Sequence, residues 1–174
     1  MQVVLVTDRD WVTALSRHLT AGIAAVLRER GHEVRLLELG REDASPCRGC
    51  LLCFTKHPGE CVSRDLVNEL IHAEHLRRGP AATVFVTPVL FGHPRSTIKN
   101  AMDRGAASRY LQIIVGCEED IDDEEKSTFI DLYARHRGKV DIVHPGVDRE
   151  VAAFVTTSEA ENAAVCEALQ DLVA

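Results

Sequence analysis

With 174 residues, 45% of them hydrophobic and 27% charged, the chain has the size and make-up of one ordinary globular domain. Lys plus Arg number 20 against 27 Asp plus Glu, a net charge of -7, which argues against nucleic-acid phosphates as the main partner. No apolar run approaches the roughly 18 residues of a membrane span, and no export signal precedes the first strand-like run, so a cytoplasmic protein without a membrane partner is expected.

Gln2 to Thr7 is apolar and β-branched and predicts a first strand. From Trp11 to Gly31 the apolar positions Val12, Leu15, Leu19, Ile23 and Val26 recur at helical spacing, and Gly31 closes the helix. Glu33 to Leu39 reads as a second strand. Residues 40–62 hold Gly, Pro and Cys without periodicity and read as a loop, cysteine-rich at about 44–62. Ser63 to Arg78 is helical in pattern, with Leu66, Leu70 and Ala73 on one face. Ala82 to Thr87 is almost continuously apolar, as a strand buried on both faces of a parallel sheet must be. A loop over Pro88 to Arg95 and a short helix from Ser96 to about Arg104 follow.

Leu111 to Val115 is the fourth strand. The acidic run Glu118 to Glu125 reads as the solvated first turn of a helix, where carboxylates oppose the macrodipole. That helix continues through Phe129, Leu132 and Tyr133 to Gly138. Val140 to Val143 is read as the fifth strand, and Val151 to Val155 as an extension of the same edge. A last helix opens at Ser158 with Glu161 at capping-box spacing, its core stripe being Val165, Leu169 and Leu172. Alternation of this kind over a single domain, residues 1–174, predicts an α/β fold: a doubly wound, five-stranded parallel sheet between two helix layers. Ligands of such sheets bind beyond the carboxyl ends of the strands, which here means the loops Thr7–Thr13, Thr87–Arg95 and Val115–Glu119.

Four of the six cysteines, Cys47, Cys50, Cys53 and Cys61, fall within fifteen positions. Three at steps of three with a fourth close behind favour an iron–sulfur cluster over zinc, whose Cys knuckles come as separated pairs. Four thiols without metal, or disulfides formed in air, are the alternative. Cys166 lies on a helix stripe and reads as core packing, while Cys117 ends the fourth strand and suits either packing or the crevice. The loop after the first strand opens a helix, so Thr7, Arg9 and Thr13 are candidate phosphate donors. It holds no glycine, which disfavours a dinucleotide fingerprint. The plainer reading is an N-cap supplied by Asp8 or Asp10. The apolar loop Pro88-Val89-Leu90-Phe91-Gly92 can edge an aromatic ring or meet another subunit. Lys99, Asp103 and Arg104 read as surface ion pairs, and single histidines such as His18, His72, His75 and His136 as solvated. No spacing points to a hydrolase.

Three stretches together resemble the NADPH-dependent FMN reductase family of flavodoxin-like proteins, and within it the iron–sulfur flavoproteins. They are Val6-Thr7-Asp8-Arg9 with Thr13; Pro46-Cys47-Arg48-Gly49-Cys50-Leu51-Leu52-Cys53 to Cys61; and Thr87-Pro88-Val89-Leu90-Phe91-Gly92 with Ser96, Lys99, Asp103 and Arg104. The resemblance covers about residues 1–105. It implies a flavodoxin-like αβα sandwich with FMN at the strand ends, its phosphate on the Thr7–Thr13 loop and its ring against Pro88, Val89, Leu90, Phe91 and Gly92. It further implies a 4Fe-4S cluster at Cys47, Cys50, Cys53 and Cys61 passing electrons to FMN, an NAD(P)H or ferredoxin-like electron donor, and a homodimer or homotetramer. Two places depart from the family pattern: Thr7-Asp8-Arg9-Asp10-Trp11 replaces Ser-Pro-Arg and small polar residues, and Leu90 replaces an aromatic. The leading expectation is thus an FMN-dependent oxidoreductase. A non-catalytic thiol- or metal-based redox sensor on a fold that has lost flavin, and a plain FMN reductase with idle cysteines, are the other readings.

Overall fold

A computed structural model describes residues 1–53, 55–57, 61–68, 81–104, 111–134 and 151–173. In chain order these form β1 (Gln2–Asp8), α1 (Ala14–Glu29), β2 (Glu33–Leu39), a 3₁₀ turn at Arg41–Asp43, β3 (Ala81–Thr87), a small hairpin of β4 (Val89–Leu90) and β5 (His93–Pro94), α2 (Ser96–Arg104), β6 (Leu111–Cys117), α3 (Asp123–Ala134), β7 (Val151–Thr156) and α4 (Glu159–Leu172). The main sheet has the order β2-β1-β3-β6-β7, and every neighbouring pair is parallel. Leu5 sits level with Leu36 and Val84, Val84 with Ile113, and Ile113 with Ala152.

Period-2 alternation sends successive strand residues to opposite cores. Val3, Leu5, Val84, Val86, Ile113 and Val115 pack under Leu15, Leu19, Ile23 and Leu27 of α1 and Val165 and Leu169 of α4. Val4, Val6, Phe85 and Ile114 face the other layer, where Ile98 and Ala101 of α2 meet Phe129 and Tyr133 of α3. The molecule is therefore a three-layer αβα sandwich. Strand order reverses between β1 and β3, and the switch-point crevice opens at their carboxyl ends.

Helix α1 begins three residues later than the apolar pattern suggests. Its cap is Thr13 rather than Asp8 or Asp10: the Ser16 N–H donates to Thr13 Oγ1 at 3.0 Å, and the Thr13 N–H donates to Ser16 Oγ at 2.9 Å. At α4 the Ser158 cap forms, with Glu161 N–H donating to its Oγ at 3.3 Å. The Glu161 carboxylate, however, reaches one residue past the expected partner and accepts from Thr157 N–H at 2.8 Å. The acidic run does open a helix, with Asp123, Glu124 and Glu125 in the first turn of α3 and Asp122 Oδ1 accepting from Glu125 N–H at 2.8 Å. The edge strand is Val151–Thr156, lying directly against β6. The proposed strand Val140 to Val143, most of the helix Ser63 to Arg78, the end of α3 toward Gly138, and His72, His75 and His136 lie outside the described residues. No helix among the described residues is long and apolar enough to cross a membrane.

Candidate functional site

Parallel strands end together, so β1, β3 and β6 deliver Asp8, Thr87 and Cys117 to one rim. Asp8 is 2% exposed there. Its Oδ1 accepts from Asp10 N–H at 2.9 Å and from Arg95 Nη1 at 3.1 Å. Burial raises the Asp8 pKa, while the Asp10 N–H, the Arg95 charge and the Thr97 hydroxyl pull against that rise. Arg95 also ties its backbone to the rim, donating from N–H to Thr87 Oγ1 at 3.1 Å. Thr87 in turn donates to the Pro88 carbonyl at 3.1 Å. The crevice thus carries a buried acid bridged to a half-exposed base from the next loop.

The other phosphate-loop candidates are engaged as well. Arg9 donates its N–H to Leu39 O at 2.8 Å, and its guanidinium pairs with Glu42 and, at 3.1 Å, with Asp43. That guanidinium lies directly over Gly40 and would have to shift to admit a Cβ there. Thr13 is spent on its capping box. Thr7 is half-buried and, with Asp8, Trp11, Val12, Arg17 and Leu36, lines a groove of about 300 Å³ between α1 and the β1–β2 edge.

Pro88 to Pro94 is not a plain loop but a hairpin in which Val89 pairs with Pro94 and Leu90 with His93. Its two turn residues, Phe91 and Gly92, have φ of 52° and 73°, the signature of a type I′ turn. A Cβ on Gly92 would lie 2.7 Å from Thr128 Cγ2, so α3 clamps the tip from behind. Pro88, Val89 and Gly92 are buried, whereas Phe91 is 89% exposed and Leu90 is 48% exposed. A bulky aromatic held at positive φ with its ring in solvent is a strained feature that packing does not explain. The structure therefore brings Pro88, Val89, Leu90, Phe91 and Gly92 together at the rim.

Cys47 and Cys50 are exposed and Cys53 and Cys61 half-buried, and none of the four is in a disulfide. Among the described residues no group of three or more His, Cys, Asp or Glu side chains converges as a metal site. Cys53 feels the other three sulfurs: burial raises its pKa, and Cys61, Cys47 and Cys50 add to the rise. At Cys61 burial acts the same way but loses to the Ser63 N–H and to Arg104, which together hold its pKa below the ordinary value. Cys117 and Cys166 are buried core residues; burial, helped by Glu118 and Glu119, pushes Cys117 to about 12.

Arg104 is the residue the sequence reading misjudged. Lys99 and Asp103 do form an exposed pair one turn apart, but the Arg104 side chain is 0% exposed. Its Nη1 donates to Asp65 Oδ1 at 2.6 Å and Oδ2 at 2.5 Å, and Nη2 donates to Asn68. Asp65 accepts from Ser45 N–H at 3.0 Å, and Asn100 donates to Ala44 O at 3.0 Å. Helix α2 thus grips both ends of the cysteine loop. Arg95 was also missed, because nothing local marks a loop arginine whose partner is 87 positions away.

A five-stranded parallel αβα sandwich with its crevice at the β1–β3 switch point is a flavodoxin-like protein. The oxidised flavodoxin 1 of Bacillus cereus superposes on it with a TM-score of 0.54 at 12% identity, covering 99% of this chain and 97% of that one. An NAD(P)H:quinone oxidoreductase from Methanothermobacter marburgensis gives 0.64 at 15% identity, covering 99% and 95%. Residues 10–115 match the profile of the NADPH-dependent FMN reductases, and the chain belongs to that family. An iron-sulfur flavoprotein of Archaeoglobus fulgidus is 29% identical over 87 residues, which is 50% of this chain and 40% of that protein. The match therefore spans about two fifths of that relative's length.

Proposed function

We propose that the chain is a flavin-dependent oxidoreductase that takes reducing equivalents from NAD(P)H at the carboxyl rim of its sheet. One observation carries this reading: the strained hairpin beside the switch point, which holds Leu90 and Phe91 out of the protein in a member of the FMN reductase family. A flavin ring suits this place. Leu90 and Phe91 offer an apolar cover, and the backbone of Pro88 to Gly92 offers polar groups to a ring edge. When bound, the flavin supplies hydride acceptance and electron transfer. The chain supplies position: Gly92 against Thr128 fixes the hairpin, and Thr87 with Arg95 fixes its root.

Aerobically purified protein titrated with flavin is expected to quench flavin fluorescence and to oxidise NADPH only when flavin is present. Phe91→Ala is expected to weaken flavin binding about tenfold, roughly 1.4 kcal/mol of lost stacking. Unchanged affinity in that variant, or no binding by the parent, overturns the reading.

The cysteine set supports a second element of the proposal, a 4Fe-4S cluster at Cys47, Cys50, Cys53 and Cys61. Its support is the 3, 3 and 8 residue spacing of the four sulfurs, the reach of the other three to Cys53, and the Arg104 charge beside Cys61. Anaerobic purification followed by iron and sulfide analysis tests it, and protein free of both removes the cluster while leaving the flavin reading intact. Assembly as a homodimer or homotetramer is part of the same proposal and is read from the mass in light scattering.

A further inference from the structure

The ring end of the crevice suits a flavin, but the end where a monophosphate tail would lie does not. A phosphate monoester carries about -1.5 to -2 charges at neutral pH and needs free N–H donors or unpaired cations. Around the β1–α1 loop three of the candidate side-chain donors already have a carboxylate or a cap to serve. Arg95 is bound to Asp8, Arg9 to Glu42 and Asp43, and Thr13 to Ser16. Asp10 Oδ2 takes the Arg41 N–H at 2.8 Å; Arg17 reaches the Thr13 carbonyl at 3.5 Å and, among the described residues, pairs with no carboxylate, so it points to solvent on the helix rather than into the acidic end of the loop.

Four carboxylates, Asp8, Asp10, Glu42 and Asp43, thus stand around this loop, two of them paired with Arg9. Asp8 is the decisive one. It is buried, and among the described residues Arg95 is its one cationic partner at hydrogen-bond distance. A phosphate that captured Arg95 would leave the Asp8 charge buried and uncompensated, which costs more than the new contact returns. A phosphate that left Arg95 alone would meet the Asp8 and Asp10 charges directly. Both routes penalise the tail, and neither touches the ring or the sugar chain.

We infer that this site takes its flavin by the ring and sugar chain and gains nothing from the terminal phosphate, so that riboflavin binds at least as tightly as FMN. The inference rests on the flavin reading above and assigns Asp8 as the residue that sets the preference.

The experiment titrates the parent chain with riboflavin and with FMN under one buffer and follows flavin fluorescence. Riboflavin affinity equal to or above that of FMN, within about threefold, is the expected result. FMN bound more than about threefold tighter overturns the inference while leaving the flavin reading standing. Binding by neither flavin overturns both. Asp8→Asn is expected to raise FMN affinity about fivefold or more with riboflavin unchanged, and a variant in which FMN gains nothing overturns the role of Asp8. Should Asp8→Asn fail to fold, salt gives the same information on the parent chain. Between about 0.05 and 0.4 M salt, FMN affinity is expected to hold or rise, because screening removes repulsion; a salt-induced fall marks a tail paired with cations and overturns the inference.

Discussion

Arg104 and Asp65 form a buried ion pair under the cysteine loop. The guanidinium has no exposure, the carboxylate is 11% exposed, and two hydrogen bonds join them. Removing one partner strands the other, so Arg104→Met is expected to lower unfolding stability by about 3–5 kcal/mol in urea titration. Burial acts to raise the Asp65 pKa, but Arg104 and the Ser45 N–H outweigh it and hold it below its ordinary 3.8. A carboxylate with a depressed folded pKa stabilises the fold at every pH above its unfolded value and loses that contribution as pH falls through the folded one. Asp65→Asn is therefore expected to flatten the acid limb of the stability curve below about pH 4 and to leave its shape near neutrality unchanged. Asp8 has the opposite sign: its pKa is raised by burial, so its protonation favours the folded state as pH falls. None of this was legible from local spacing. Lys99 and Asp103 announce themselves one helical turn apart, but Asp65 lies 39 positions from Arg104, and only the packing of the cysteine loop on α2 joins them.

The hairpin β4–β5 shows the same limit at the scale of an element. Its apolar run and the proline at its start were readable, and they drew attention to Leu90 and Phe91. Its geometry was not, because a bulky aromatic at the first position of a type I′ turn contradicts the usual Asn-Gly or Gly-Gly signature. That contradiction is what singles the element out for the proposed flavin site, since strain of about 1–3 kcal/mol persists only where the surroundings enforce it. The enforcing contact is Gly92 on Thr128. Gly92→Ala meets both a positive φ and a side chain at 2.7 Å, and is expected to lower stability by about 1–3 kcal/mol and to weaken flavin binding with it. Thermal unfolding with and without flavin measures both effects. A variant that loses neither shows that the tip does not depend on α3. Helix α1 offers the complementary lesson: the apolar stripe found the helix, but Thr13 and Ser16, not the more conspicuous aspartates, set where it starts.

For the molecule as a whole the alternation of apolar runs and helical stripes was enough to predict five parallel strands in a doubly wound sheet. The edge was harder to place, because Val140 to Val143 and Val151 to Val155 both look like strands and periodicity cannot choose between them. β7 pairs with β6 because its residues serve both cores, Val155 facing one and Ala152 and Phe154 the other. Cys117 ends β6 and pairs with Thr156 of β7, so it reports on whether this edge shares the cooperativity of the sheet. Its sulfur is fully buried and its pKa stands near 12, so in the native state iodoacetamide finds neither a path nor a thiolate. In protein free of any cluster Cys47 and Cys50 are exposed and are expected to react first, giving an internal standard in the same digest. Pulsed alkylation through a urea series is expected to label Cys117 at the midpoint of far-UV circular dichroism, because β6 lies inside the sheet and opens only when the whole sheet does. Labelling of Cys117 well below that midpoint, with Cys166 still protected between α1 and α4, would mean instead that β7 and α3 detach as a separate unit and that the crevice rim is held less firmly than the α1–α4 side.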